Sequence, residues 1–345
     1  MNVCLASYQS VMILKGGPST QILQTKRGLD KLGVNVVLFE SWQDFPKDKI
    51  DLIHIFGANI GTYHLAREIS KLKIPIVVSP IFYSLHNPQY LRTALMLNRL
   101  IRKFYKGLWM DYGIMADICS WARAVLPNTT EEGQLLQDGI GVSREKLTVI
   151  PNGVDERFYH SDKSIFEDKY GMKNFILNVG HIGPERKNVF NLIRALKFID
   201  VPAVIIGRIE NNRGGRACMD EAKENPRLMI LDSIPNDSDL LASAYAACDV
   251  FALPSLFETP GIAALEAALA GAKIVITKYG GTKEYFKSHA EYVDPASIED
   301  IRRGILHSMG KKKNDELRIH IKNNYLWDVV AQKTLEVYER VLAKK

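Results

Sequence analysis

Residues 250–277 read VFALPSLFETPGIAALEAALAGAKIVIT. Val250–Leu253 is continuously apolar and Lys273–Thr277 ends the stretch in a β-branched run, the pattern of strands buried on both faces. Between them Gly261–Ala270 is built almost entirely of alanine, leucine and isoleucine and reads as a helix. Strand, helix and strand in so short a span form a βαβ unit, in which the helix carries the chain back so that the two strands run parallel.

The alternation extends in both directions. Upstream lie strand Phe175–Val179, helix Val189–Phe198, strands Ala203–Gly207 and Leu228–Leu231, and helix Asp239–Ala247; a helical C-terminal stretch starts near Ile298. A first series precedes it: strand Val3–Ser7, helix Ser19–Leu32, strands Asn35–Phe39 and Asp51–Phe56, helix Thr62–Leu72 and strand Ile74–Ser79. The series pauses at Pro151-Asn152-Gly153-Val154-Asp155, a turn cluster followed by the charged stretch 160–173. The expectation is an α/β protein of two Rossmann-like domains, 1–158 and 159–324, facing a central cleft. In such sheets ligands lie beyond the carboxyl ends of the strands.

Composition agrees with two cores. The chain has 345 residues, 46% hydrophobic and 24% charged, with a net charge of +6 that suits an anionic partner. Collagenous, disordered and disulfide-stapled classes are excluded. Cys4, Cys119, Cys218 and Cys248 form no C-x-x-C pair, so a reduced, cytoplasmic chain is expected. The opening residues read as a buried strand rather than a signal peptide, and no apolar run is long enough to span a membrane.

Three segments carry chemistry. In the first, Glu258 precedes Pro260-Gly261 and the helix that holds Glu266. Pro260 at the first turn removes no needed donor, and the amides of Gly261, Ile262 and Ala263 are free to meet an anion with the helix dipole behind them. The two carboxylates could accept from sugar hydroxyls and a ribose diol, or merely flank a capped helix. The second segment, Gly180 to Asn188, ends a strand in a glycine turn and sets Arg186 beside Lys187. A planar fork next to a point charge suits a diphosphate; two solvated surface cations are the plain alternative. The third, Lys15-Gly16-Gly17-Pro18-Ser19, puts glycines after the first strand, where backbone can approach a phosphate or sugar, although it is not G-x-G-x-x-G.

Taken in order, these segments resemble the retaining glycosyltransferases of family 4, with the GT-B fold. The resemblance runs from Gly16-Gly17 through Val149–Asp155 and Gly180–Lys187 to the E-x7-E pair Glu258 and Glu266, Tyr279–Glu284, and Trp327–Ala331. It implies that a final helix, about 325–345, packs back on the first domain, which is the acceptor side, while the second binds a nucleotide-sugar donor. Carried over by position, Lys187 and Arg186 hold the donor diphosphate and Glu258 the sugar, with Lys187 and Glu258 catalytic. Glu266 takes the ribose, Ile262 and Ala263 contact phosphate through their amides, and Gly17, with Gly16, closes over it. Base recognition falls near Ser233-Ile234-Pro235. The expected reaction moves a hexosyl group, UDP favoured over GDP as carrier, to a glycan or lipid-linked acceptor in polysaccharide or glycolipid assembly. Neither metal nor cofactor is implied, and nucleic acid is not needed to explain the charge. Asp237-Ser238-Asp239 fits a helix cap better than a metal site.

Three positions depart from the pattern. His181 stands where an arginine is usual, Pro260 lacks an amide, and the strand ending at Ser79 is followed by no nearby histidine, His86 being several residues on. A GT-B sugar-nucleotide epimerase would want further carboxylates near the sugar. A non-catalytic, glycosyltransferase-like scaffold would keep the fold but bind neither UDP nor GDP. Finally, residues 92–112 read RTALMLNRLIRKFYKGLWMDY, with Arg92, Arg99, Arg102, Lys103 and Lys106 beside Leu95, Leu97, Leu100, Ile101, Phe104, Leu108 and Trp109. This stretch is either a domain helix with solvated cations or, over 92–109, a basic amphipathic surface for an anionic membrane's inner face.

Overall fold

The computed structural model describes residues 1–14, 16–105 and 109–343. The chain divides into two compact units: residues 1–153 with the terminal helix Trp327–Ala343, and Val154–Leu326.

In the first unit β1 (Asn2–Ser7), β2 (Asn35–Leu38), β3 (Leu52–Phe56), β4 (Ile76–Ser79) and β5 (Ala124–Val125) form a sheet in the order β2-β1-β3-β4-β5, every pair parallel. Because helices cover both faces, the central strand β3 is buried at all five positions. One face packs Ile53, Ile55 and Val78 against Ile114 and Ile118; the other packs Val3, Leu5 and Leu52 against Trp327, Val330 and Tyr338 of the terminal helix. That helix imposes a requirement at the Pro-Asn-Gly turn. A Cβ on Gly153 would sit 2.6 Å from the Trp327 ring. His54, buried in β3, is neutral, since burial lowers its pKa to about 3. It is held by the Tyr338 hydroxyl (2.6 Å from Nδ1) and Ser79 Oγ (2.9 Å from Nε2).

The second unit places β6 (Ile176–Val179), β7 (Ala203–Ile206), β8 (Leu228–Leu231), β9 (Val250–Leu253), β10 (Lys273–Thr277) and β11 (Glu291–Val293) in the order β11-β10-β9-β6-β7-β8, again all parallel. The expected elements occur with ends moved by a residue or two. Helices Asp111–Trp121 and Arg213–Ala222 and the short strands β5 and β11 were not expected from the pattern, the second helix because Gly214 and Gly215 dilute its helical signal.

The stretch 92–112 is not one helix. Its helix runs Pro88–Phe104, with Arg102 and Lys103 in the last turn, where cations favour termination, and extended backbone at Tyr105. Lys106 and Leu108 lie outside the described residues, and Trp109 precedes the next helix. Leu95 is core, and Arg102 is committed to Asp117 at 2.9 Å. No helix among the described residues is long and apolar enough to cross a membrane.

Candidate active site

In the second unit the chain runs β6, β7, β8 toward one edge and then sets β9 on the other side of β6. Connections leaving β6 and β9 part in opposite directions, and such a switch point opens a crevice beyond the carboxyl ends of the strands. Main-chain pairing of the two covers Ile176–Leu177 against Val250–Phe251. Next to it the Asn178 side-chain amide donates to the Ala252 carbonyl at 2.7 Å.

The loop after β6 ends in a single turn, Glu185–Lys187, fixed by the buried Asn188. Asn188 Nδ2 donates to the carbonyls of Pro254 (2.9 Å) and Pro295 (2.7 Å), and the Leu256 amide donates to the Arg186 carbonyl (2.8 Å). These bonds stitch the loop after β6 to the loop after β9 and bring the cations onto Glu258. Lys187 Nζ lies 2.7 Å from Glu258 Oε1, the Ser255 hydroxyl donates to the same oxygen at 2.8 Å, and an Arg186 nitrogen is 3.4 Å away. Arg186 also donates to the Phe257 carbonyl and lies over the Phe257 ring. Burial raises the pKa of Glu258, but the charges of Lys187 and Arg186 outweigh it and hold the carboxyl below the usual glutamate range. Glu258 is therefore a buried carboxylate. Its cations are 21% (Lys187) and 43% (Arg186) exposed, so a ligand can reach them.

The main chain at Glu258 is held as tightly as its side chain. Its amide donates to Tyr279 O at 3.2 Å, and it forms a parallel bridge with Gly280. Gly280 has φ +86°, and a Cβ there would stand 2.1 Å from the Glu258 carbonyl oxygen, so only glycine fits.

The following helix runs Ile262–Leu269 with Gly261 as its N-cap. Pro260 therefore lies before the cap and not in the first turn; its missing N–H is not one of the helix's orphan donors. Gly261 O accepts from Ala264 (2.9 Å) and Leu265 (3.2 Å), and the amides of Gly261, Ile262 and Ala263 have no acceptor among the described residues. Glu266 is buried one turn further in, with both oxygens occupied: Asn236 Nδ2 donates to Oε1 and the Tyr245 hydroxyl to Oε2, each at 2.8 Å. Burial pushes its carboxyl up to about 7, against the bonds from Asn236 and Tyr245. Asn236 is itself placed by Arg157, whose guanidinium donates to the Asn236 carbonyl. Ile234 packs on the same core as Tyr245 and Leu265.

His181 is half-exposed, with Nδ1 4.0 Å from Glu210 Oε1. Burial lowers its pKa. Glu210 raises it, and the charges of Lys187, Arg208 and Arg186 lower it, so the imidazole is neutral at pH 7. The sequence reading passed over Arg208. The signal was there: Gly180-His181 and Gly207-Arg208 leave adjacent strands in register, and Ile182 donates to the Arg208 carbonyl at 2.9 Å. Asn188, Ser255, Asn236 and Tyr245 were also missed, because their roles come from pairings between segments distant in sequence.

Gly16 and Gly17 belong to the first unit, at the N-terminus of helix Gly17–Lys31. Gly16 has extended backbone, and nothing lies within 4 Å of where its Cβ would be, so neither strain nor crowding calls for glycine there. His86 stacks on Tyr90 at 4.2 Å in the loop before helix Pro88–Phe104. Ser238 caps helix Asp239–Ala247 by accepting from Leu240 N.

The chain matches two family models, "Glycosyltransferase Family 4" over residues 40–158 and "Glycosyl transferases group 1" over 161–325. The chain is a glycosyltransferase of the family 4 type. The fold of this glycosyltransferase is GT-B, and its curated relatives include mannosyl-, glucosyl- and galactosyltransferases. It is 24% identical over 262 residues to the MMP alpha-(1->4)-mannosyltransferase of Mycolicibacterium hassiacum, covering 71% of this chain and 60% of that protein. It is 24% identical over 284 residues to the processive diacylglycerol alpha-glucosyltransferase of Acholeplasma laidlawii, covering 80% and 78%. Among solved structures, Anabaena Alr3699/HepE in complex with UDP shares the fold with a TM-score of 0.72 at 16% identity, covering 99% of this chain and all of that one.

Proposed function

We propose that this glycosyltransferase moves a hexosyl group, with retention of anomeric configuration, from a nucleotide-diphosphate sugar to a glycan or lipid-linked acceptor in cell-surface polysaccharide or glycolipid assembly. The observation that carries the reading is the convergence of Lys187, Arg186 and the buried carboxylate of Glu258 at the switch point of the second sheet. In this reading Val154–Leu326 is the donor-binding unit and residues 1–153 form the acceptor side.

Without donor, Lys187 and Arg186 rest on Glu258. A diphosphate offers them a second, more accessible anion, and Glu258 is left to accept from the sugar hydroxyls. Transfer breaks the bond from the anomeric carbon to the diphosphate oxygen and forms one to the acceptor hydroxyl oxygen on the same face. The hydroxyl proton passes to the departing oxygen. The leaving charge is met by Lys187, Arg186, Arg208 and the amides of Gly261, Ile262 and Ala263, so the scheme calls for neither metal nor cofactor. Glu266 accepts from the ribose once Asn236 yields to it, Ile234 lies beside the base, and Gly16 and Gly17 offer bare backbone to a phosphate or sugar. UDP is favoured as carrier, supported by the UDP complex of the HepE neighbour. His181 adds no charge at neutral pH.

Helix Pro88–Phe104 supports peripheral docking on the inner face of an anionic membrane: Met96, Leu97, Leu100 and Phe104 are exposed beside Arg99 and Lys103. A donor panel scored by nucleotide release tests the reaction, with UDP-hexoses expected to turn over fastest. Titrations showing that neither UDP nor GDP binds would instead favour a scaffold protein.

A further inference from the structure

The amino-terminal ends of the second sheet lie a strand's length from the transfer residues, which gather at its carboxyl ends. Asp249 precedes β9, Lys273 opens β10 and Glu291 opens β11. Around them is a recess of about 80 Å³ whose walls include Lys273, Lys311, Lys312, Lys313, Arg318 and Glu291. Five permanent cations thus share the recess with one carboxylate, and Asp249 lies behind them.

Some of this charge is already committed. Lys273 Nζ spends all three donors, on Asp249 Oδ2 (2.9 Å) and the carbonyls of Met309 (3.1 Å) and Lys311 (3.0 Å), and so builds the floor. Arg318 is spent too: it donates to the carbonyls of Leu269 (3.1 Å) and Tyr159 and lies 3.8 Å from Asp315 Oδ1. The rest is committed only in part. An ammonium has three donors, whereas Lys311 gives one to Glu291 (3.0 Å) and Lys313 one to Cys248 O (2.9 Å), with Asp249 Oδ1 4.0 Å from Lys313. Lys312 is exposed and has no partner among the described residues. Unspent ammonium donors around one concavity call for a multidentate oxyanion. The size narrows the class further, because sites that enclose drug-sized ligands run to roughly 300–1,000 Å³. We propose that this recess is a second anion site, for a single phosphoryl group, distinct from the donor site and independent of its assignment. The phosphoryl group belongs either to free phosphate or to a lipid headgroup.

Calorimetric titration of the full chain with inorganic phosphate, at ionic strength held constant with chloride, tests the site. Lys187→Ala serves as a control, because the donor residues could also take phosphate. Saturable binding is expected in the wild type and in Lys187→Ala. It should weaken about tenfold or more in Lys311→Gln/Lys312→Gln, which removes two positive charges at surface side chains of similar length. Wild-type affinity in that double variant, loss of binding in Lys187→Ala, or no saturable binding at all would each overturn the proposal. The double variant's melting temperature separates loss of the site from loss of the fold. Vesicles of phosphatidylcholine with and without phosphatidic acid distinguish the sources. Phosphatidic-acid-dependent sedimentation that the double variant loses and free phosphate competes away assigns a lipid headgroup; phosphate binding without it assigns the free anion.

Discussion

At Glu258 two opposed effects meet: burial favours the neutral acid, and Lys187 with Arg186 favours the ion. The ion wins because both cations and the Ser255 hydroxyl are within hydrogen-bond or ion-pair reach of one oxygen. Removing Lys187 leaves that charge with Arg186 and Ser255 only. Lys187→Ala is therefore expected to lower stability by about 1–3 kcal/mol and transfer by about 10²–10³-fold. Glu258→Gln should lose comparable activity; nucleotide-release rates and thermal melts check both, and a wild-type rate in either variant refutes the assignment. At Glu266 burial prevails, with the carboxyl at about 7 against an ordinary 4.5. The folded protein then keeps a proton that the unfolded chain has released, so this group makes stability fall as pH rises from about 4.5 to about 7. Donor binding has the opposite sign, because accepting from a ribose diol needs the ionised form: KM for donor should fall as pH rises through about 7. Glu266→Gln should flatten both trends, and a wild-type pH profile in that variant would remove Glu266 from the ribose.

At the scale of elements, the site depends on loops stitched to one another beyond the strand ends. Asn188 ties the cation loop to the ends of two other connections, and Gly280 lets the main chain of Glu258 lie against it. The Tyr279-Gly280-Gly281 spacing was legible in the sequence, but the reason for the glycine was not, since the atom it must avoid is the carbonyl of a residue 22 positions earlier. Gly280→Ala should cost about 1–3 kcal/mol for the left-handed backbone alone, with the contact in addition, and should abolish transfer. Gly16→Ala faces open space and extended backbone, so its melting temperature should match the wild type while transfer falls. Equal effects of the two substitutions on stability would contradict this distinction.

At the scale of the whole molecule, the proposed membrane docking turns on charge and exposed apolar surface. Of the five cations read from residues 92–112, Arg102 is spent on Asp117, Arg92 donates to the Asp138 carbonyl, and Lys106 lies outside the described residues. Membrane docking then rests on Arg99 and Lys103 beside Phe104, Leu100 and Leu97. Flotation with anionic liposomes should be lost in Arg99→Glu/Lys103→Glu, and flotation equal to wild type would dispose of the membrane reading.

The sequence by itself determined the βαβ alternation, because strands buried on both faces must be apolar throughout and helix-forming runs must separate them. It also marked Lys187, Glu258 and Glu266 as the residues on which chemistry would turn. Only the tertiary structure decided which partners those residues have. Strand order, with β9 beside β6, makes neighbours of Lys187 and Glu258, 71 positions apart. Neighbouring charge then separates two equally buried glutamates of the same motif: Glu258 is ionised beside Lys187 and Arg186, and burial holds Glu266 up to about 7. Periodicity reports how a segment meets its core; a site's charges are set by residues that come together only when the chain is folded.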